Sequence, residues 1–315
     1  MMKKLIVLGS LNMDLSIHSD YMPRDGETIN GYGFLMNSGG KGGNQAVAAA
    51  KLGVEVKMLA KVGNDIFGKQ LLDDLRDYGV DVSNIEISAD VTSGVAMITR
   101  CNNDNRIILS NGANHALDFE TIKEKLEKIS NKGDIFLAQL ENDFEVVKKS
   151  IQYAKELGLF TILNPAPARE IDDALYKALD LVIVNQSECE LLTGIYPDAE
   201  GKYKEVLNKF HDKGVEVIVT LGTDGSITNY GGKFQYIESR KVQAVDTTAA
   251  GDSYIGALCR YLVFDKDLAE GLRFASDVAA LTVMKRGAQI SIPTLNDVKE
   301  YFKEDEGSRK RGNYE

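Results

Sequence analysis

Val245-Asp246-Thr247-Thr248-Ala249-Ala250-Gly251-Asp252-Ser253-Tyr254-Ile255-Gly256-Ala257-Leu258 is the stretch from which the rest of the chain can be read. A run of small and polar residues gives way to an apolar helical pattern from Tyr254 to Val263. This predicts a loop that opens into a helix. Ala249, Ala250 and Gly251 let the backbone approach a ligand closely. Their N–H groups would stand at the helix start, unpaired and electropositive, where phosphate is readily bound. Asp252 then needs a reason, because a carboxylate repels a neighbouring phosphate. A general base that takes a proton from an attacking hydroxyl supplies one. An N-cap at Asp246 and a first-turn acid at Asp252 on an ordinary helix would account for the same residues, so this stretch alone leaves both readings open.

With 315 residues, 43% hydrophobic and 27% charged, the chain has room for one large α/β domain, or one domain with a small appendage. The formal net charge of −10 provides no basic surplus to neutralise a nucleic-acid backbone, so no such partner is expected. Small anions remain possible ligands, since backbone dipoles bind them whatever the net charge. Cys101, Cys189 and Cys259 make neither a metal-ligand spacing nor a disulfide framework, which fits buried thiols in a reducing compartment. The apolar run after Met1-Met2-Lys3-Lys4 is too short for a signal peptide. No run of about 18 apolar residues suggests a membrane span. A cytoplasmic location is expected.

Before that stretch, Leu5–Leu8 reads as a buried parallel strand ended by Gly9. Asn12 and Asp14 follow, on one face if the chain stays extended. From Leu15 to Met36 the pattern breaks into strands and turns, as in a small projecting sheet. Gly39-Gly40-Lys41-Gly42-Gly43-Asn44-Gln45 reads as a glycine-rich junction leading into a helix over Ala46–Leu52, stopped by Gly53. It is not a Walker A loop, because the spacing and the Ser/Thr after Lys are absent. Val54–Val62 reads as one strand and Phe67–Tyr78 as a helix. Ser93–Arg100 and Arg106–Ser110 read as a hairpin turning at 102–105. Regular alternation follows: helix 118–130, strand 134–138, helix 143–157, strands 159–163 and 180–184, helices 187–193 and 200–213, strand 215–221. Such alternation predicts a mostly parallel sheet with helices on both faces. Glu141, Asn164, Asn185 with Glu188, and Thr220 with Gly222 fall at strand C-terminal ends, where such sheets bind ligands. Leu268–Lys285 reads as a long helix, Gly287–Ser291 as a segment folding back under the anion loop, and 296–303 as a last short helix. One large α/β domain over 1–304, with a polar, disordered tail at 305–315, is expected.

These motifs resemble the ribokinase-type (PfkB) sugar kinases. Gly39-Gly40-Lys41-Gly42-Gly43-Asn44-Gln45-Ala46 and Asp246-Thr247-Thr248-Ala249-Ala250-Gly251-Asp252 look like the two signatures of that family, in the same order and with a similar separation. Asn164-Pro165-Ala166-Pro167-Ala168, Asn185-Gln186-Ser187-Glu188 and Thr220-Leu221-Gly222 match in order, and the resemblance spans about residues 3–300. Within the family, Ala249-Ala250 before Gly251 points to the ribokinase branch.

The resemblance implies an α/β kinase with a β-sheet lid at about 12–38 and 92–112, ATP as co-substrate and D-ribose as acceptor. It implies Asp252 as base toward the sugar O5 hydroxyl and an anion hole at Ala249, Ala250 and Gly251. It implies sugar contacts from Asn12, Asp14, Gly40, Lys41, Gly42, Asn44 and Glu141. ATP contacts are implied at Asn185, Thr220, Gly222, Thr223, Gly225, Gly251 and Ser276, the last standing where His or Asn is expected near adenine. Glu188 would orient the Mg²⁺ shell. A K⁺ ion would be held by Asp246 with Thr248, Thr282, Lys285, Gly287 and Ser291. A homodimer through the lid is implied. Acceptors other than ribose (deoxyribose, a nucleoside, fructose, a keto-deoxy sugar acid) and a non-catalytic sensor on the same fold remain alternatives.

Overall fold

The computed structural model describes residues 2–101 and 104–302. In chain order the elements are β1 (Leu5–Leu8), β2 (Asn12–His18), β3 (Tyr32–Gly39), α1 (Lys41–Lys51), β4 (Val56–Leu59), β5 (Lys61–Gly63), α2 (Ile66–Asp77), β6 (Glu86–Ser88), β7 (Gly94–Cys101), β8 (Asp104–Ser110), α3 (Phe119–Ile129), β9 (Ile135–Gln139), α4 (Phe144–Glu156), β10 (Phe160–Asn164), α5 (Asp173–Tyr176), β11 (Leu181–Asn185), α6 (Gln186–Thr193), α7 (Glu200–Asp212), β12 (Glu216–Thr220), β13 (Ser226–Thr228), β14 (Gln235–Ile237), α8 (Ala250–Val263) and α9 (Leu268–Val283). A last helix, α10, covers 295–302.

Continuous apolar runs become the inner strands of an eight-stranded sheet of order β14-β13-β12-β11-β10-β9-β1-β4. Strands β4 to β12 of that order are parallel, and β13 and β14 add antiparallel at one edge. Both faces are covered, as a parallel sheet requires. The period of two along β1 sends Leu5 and Val7 into one core with Ala48, Leu75, Leu258 and Val278. It sends Ile6 and Leu8 into the other, with Leu126, Ile151 and Phe210. Aspartates cap several of the covering helices: Asp65, Asp118, Asp143 and Asp267 each accept an N–H from the first turn.

A second sheet, β3-β2-β7-β8, stands apart from the first. β2 and β7 run parallel, pairing Asn12 with Gly94 and His18 with Arg100, while the outer pairs are antiparallel. This sheet exposes large apolar side chains, among them Phe34, Met36, Met97 and Ile108.

Two expectations are corrected. The run 54–62 is two strands: β4 stays in the large sheet, and β5 pairs in parallel with β6. Hydrophobicity continues across Ala60, so periodicity does not reveal the change of sheet. Helix α1 begins at Lys41, so Gly42 and Gly43 lie in its first turn instead of in a loop. Packing overrides glycine's low helix propensity here: a Cβ on Gly42 would come 2.5 Å from the Gly9 Cα. Gly42→Val is accordingly expected to cost about 1–3 kcal/mol or more, read as a lowered thermal midpoint. The edge strands β13 and β14 were not anticipated; they are short and follow a glycine-rich turn. Part of the hairpin turn (102–103) and the tail at 305–315 lie outside the described residues.

Candidate active site

Gly40 has φ 85°, a conformation open to glycine at little cost. It turns the chain from β3 into α1, directly over the turn between β1 and β2. That brings Lys41, Asn44 and Gln45 to the C-terminal edge of the large sheet. Helix α8 starts opposite. Its N-cap Ala249 sits at φ 61°, ψ 10°, a strained left-handed conformation for a residue with a Cβ, of the sort that clusters at functional sites. The Ala250 N–H reaches the Thr247 carbonyl at 3.3 Å, and the Ser253 N–H closes on Ala249. The N–H groups of Gly251 and Asp252 belong to the unpaired first turn, at the wall of a cavity of about 230 Å³.

Asp252 is 8% exposed. Its Oδ2 accepts from Asn44 Nδ2 and its Oδ1 from Gln45 Nε2, both at 2.9 Å. Asn44 Oδ1 is buried and has no partner. Lys41 is also close: burial acts to lower its pKa, but Asp252, Glu141 and Glu188 outweigh burial and hold it above the ordinary lysine value. Glu141 accepts the Lys41 backbone N–H at 3.0 Å and the Ser10 hydroxyl. Asn12 Oδ1 accepts from Asn114 Nδ2 at 2.8 Å. Asp14 is pushed up to about 7, by burial first and then by Glu141 and Asp252, against the opposing pull of Arg100. Asn12, Asp14, Lys41, Asn44, Glu141 and Asp252 are thus gathered from four separate segments.

The Asp14 shift has a consequence for stability. Its folded pKa lies above the unfolded value of 3.8, so the protonated form favours folding. That contribution is complete below about pH 4 and is lost as the pH rises through about 7. Without sugar, the gain in thermal midpoint of Asp14→Asn over the wild type should grow between about pH 4 and about pH 7. A gap that stays constant across that window would refute the assignment.

On the far side of Asp252 the cavity is lined by Asn164, Asn185, Glu188 and Thr220. Asn185 and Glu188 form a capping box on α6. The Glu188 carboxylate accepts both the Asn185 N–H and its side-chain amide at 2.9 Å. Burial raises its pKa above the usual carboxylate value. Gly222, Thr223 and Gly225 lie on the turn after β12, away from the cavity lining. Gly225 instead packs on β14, where a Cβ would meet the Ile237 carbonyl. Ser276 is buried on α9, also outside that lining.

Asp246 does meet the 287–291 segment. Its Oδ1 accepts the Thr248 N–H at 3.0 Å and hydroxyl at 2.6 Å, and its Oδ2 accepts the Gly287 N–H at 3.2 Å. Lys51, pushed down to about 8 by burial and Lys285, ties this segment to α1 through the carbonyls of Gln289 and Ile292. The Thr282 and Ser291 hydroxyls bond the Val278 and Ala288 carbonyls. The Asp246 carboxylate supplies hard oxygens, the ligand type that suits an alkali ion. Arg100, on β7, places a guanidinium 3.6 Å from Asp246 Oδ2, which the sequence did not announce. A larger cavity of about 570 Å³ opens beside this pair, between His18, Tyr32 and Val245. All three cysteines are free and buried. Among the described residues, no group of three or more His, Cys, Asp or Glu could hold a metal, and no helix is long and apolar enough to cross a membrane.

Comparison with known proteins identifies the family. The description "pfkB family carbohydrate kinase" matches residues 2–295. Ribokinase of Haemophilus influenzae is 38% identical over 304 residues, covering 96% of this chain and 99% of that protein. Deoxyribokinase of Salmonella typhi is 36% identical over 301 residues, covering 95% and 98%. The Arabidopsis thaliana ribokinase structure, complexed with ribose and ATP, superposes with a TM-score of 0.87 at 29% identity, covering 95% of this chain and 98% of that one. The chain belongs to the pfkB family of carbohydrate kinases.

Proposed function

We propose that this sugar phosphotransferase is a ribokinase, which transfers the γ-phosphoryl group of ATP to the O5 hydroxyl of D-ribose to give D-ribose 5-phosphate and ADP. The observation that carries the reading is the pairing of Asp252 with Asn44. A buried carboxylate stands at a helix start, and beside it the Asn44 Oδ1 acceptor has no partner. An unsatisfied buried acceptor costs about 1–3 kcal/mol, and a sugar hydroxyl would satisfy it. Asp252 takes the proton of the attacking hydroxyl. The N–H groups of Gly251, with Ala249 and Ala250 beside it, face the charge that develops on the transferred group. Asn12, Asp14, Gly40, Lys41, Gly42, Asn44 and Glu141 orient the sugar, and orientation supplies much of the rate in phosphoryl transfer.

Asn185 and Thr220 line the ATP side. Gly222, Thr223, Gly225 and Ser276 reach ATP only if it extends beyond the cavity. Glu188, drawn back onto Asn185, fits a Mg²⁺ held through water; the ion neutralises phosphate charge when bound with ATP. Asp246 and the carbonyls of Thr248, Thr282, Lys285 and Gly287, with Ser291, would hold K⁺. Replacing Na⁺ by K⁺ at fixed ionic strength is then expected to raise the rate, and Asp246→Asn to remove the response. An equal response in the variant would exclude that site.

The β3-β2-β7-β8 sheet acts as a lid over the sugar, within a single domain covering 1–304. Its exposed Phe34, Met36, Met97 and Ile108 would be covered in a homodimer. A cytoplasmic enzyme fits three free thiols. The test of function is ADP release from ATP and Mg²⁺ with D-ribose, deoxyribose, fructose, nucleosides and sugar acids. Turnover favouring D-ribose supports the reading. Preference for deoxyribose would move the chain to the activity named for its Salmonella relative.

A further inference from the structure

A carboxylate that serves as base must stay ionised and must point at the hydroxyl it deprotonates. The charged groups around Asp252 pull in both directions: Lys41 on α1 is positive, while Asp14 on β2, Glu188 on α6 and Glu141 after β9 are negative. Among the described residues, no cation hydrogen-bonds the Asp252 carboxylate; its side-chain partners are the amides of Asn44 and Gln45. Gln45 is completely buried. Its Nε2 lies 2.9 Å from Asp252 Oδ1 and 3.1 Å from Asn164 Oδ1. Its Oε1 accepts from Gln139 Nε2 at 2.6 Å.

The direction of this chain follows from charge. An ionised carboxylate only accepts, so Gln45 must present its N–H₂ end to Asp252. Its carbonyl then faces Gln139, which must donate. Gln139 is itself fully buried at the end of β9. Gly9 leaves it room, since a Cβ there would lie 2.3 Å from Gln139 Oε1.

We propose that Gln45, set in orientation by Gln139, is a positioning residue for Asp252. The inference rests on the reading of Asp252 as the base. The relay holds the carboxylate in one rotamer. Amides do this without placing a further charge against it.

The test is steady-state ADP release by the full chain between about pH 5.5 and pH 9, for Gln45→Leu, Gln139→Leu and, as reference, Asp252→Asn. Gln45→Leu should lower kcat about 10–100-fold, the scale expected of a misplaced catalytic group. KM for sugar and for ATP should change less than about threefold. The acid limb of the kcat profile should move to higher pH, because the carboxylate loses a donor. Gln139→Leu, which leaves every atom touching Asp252 in place, should shift the same limb by less. Should Gln45→Leu fail to fold, Gln139→Leu carries the test. Wild-type kcat with an unmoved limb overturns the proposal, as does a kcat loss with matching KM rises and no shift of the limb. If Asp252→Asn stays active, the base reading fails. If that variant is inactive while the glutamine variants behave as wild type, only the relay fails.

Discussion

Asp252→Asn is expected to lower kcat for sugar-dependent ADP release by about 10²–10⁴-fold, with little change in thermal midpoint. Asn matches Asp in size, so the buried pocket beside Asn44 and Gln45 stays filled. What disappears is the acceptor for the proton of the attacking hydroxyl. The loss should appear in kcat and kcat/KM together, the pattern of an interaction made in the transition state. ATP binding, followed separately by calorimetry, should survive, because Asp252 repels phosphate and its removal relieves that repulsion. A variant that keeps more than a tenth of wild-type kcat would remove Asp252 from the chemistry. The two aspartates of the 246–252 stretch would then be ordinary helix-start residues.

Gly251→Ala should separate stability from activity. A Cβ at this position meets nothing within 4 Å, so the fold accepts it. Ala is the better helix former by about 1 kcal/mol, and position 251 lies in the first turn of α8. The thermal midpoint should therefore hold or rise. The new methyl group occupies the space at the cavity wall, where the N–H groups of the first turn would meet the transferred phosphoryl group. Weakening one donor of such an anion site costs about 10²–10³-fold in kcat. A stable variant with undiminished kcat would show that phosphate does not approach this backbone.

Much of the candidate site was legible because residues lining the cavity sit in two short motifs with special backbone needs. Gly39–Gln45 and Asp246–Asp252 identified both walls of the cavity, and the apolar runs identified the parallel sheet. The reading missed features that depend on three-dimensional closeness between ordinary residues. Gln139 is one polar residue at the end of an apolar strand, and nothing local says that its amide meets Gln45. Arg100 lies in a strand with alternating pattern, and its approach to Asp246 is set by how the small sheet stands over the loop. Gly42 and Gly225 also stand close to the protein's own backbone, at Gly9 and Ile237, contacts that nothing in the local sequence announces. The break between β4 and β5 escaped because burial continues through it while the hydrogen-bond partner changes.

The groups that meet at Asp252 are far apart in the order of synthesis. Asn44 and Gln45 precede it by 208 and 207 residues. At a translation rate of about 5–20 residues per second, that interval is roughly ten to forty seconds. Throughout it, the half of the site that would grip a sugar exists as sequence without the residue that would activate the sugar. β1, near the start of the chain, likewise waits for β4 and β9 before both its edges are paired. A chain released before residue 252 therefore lacks both the carboxylate that Asn44 and Gln45 hydrogen-bond and the helix that presents it.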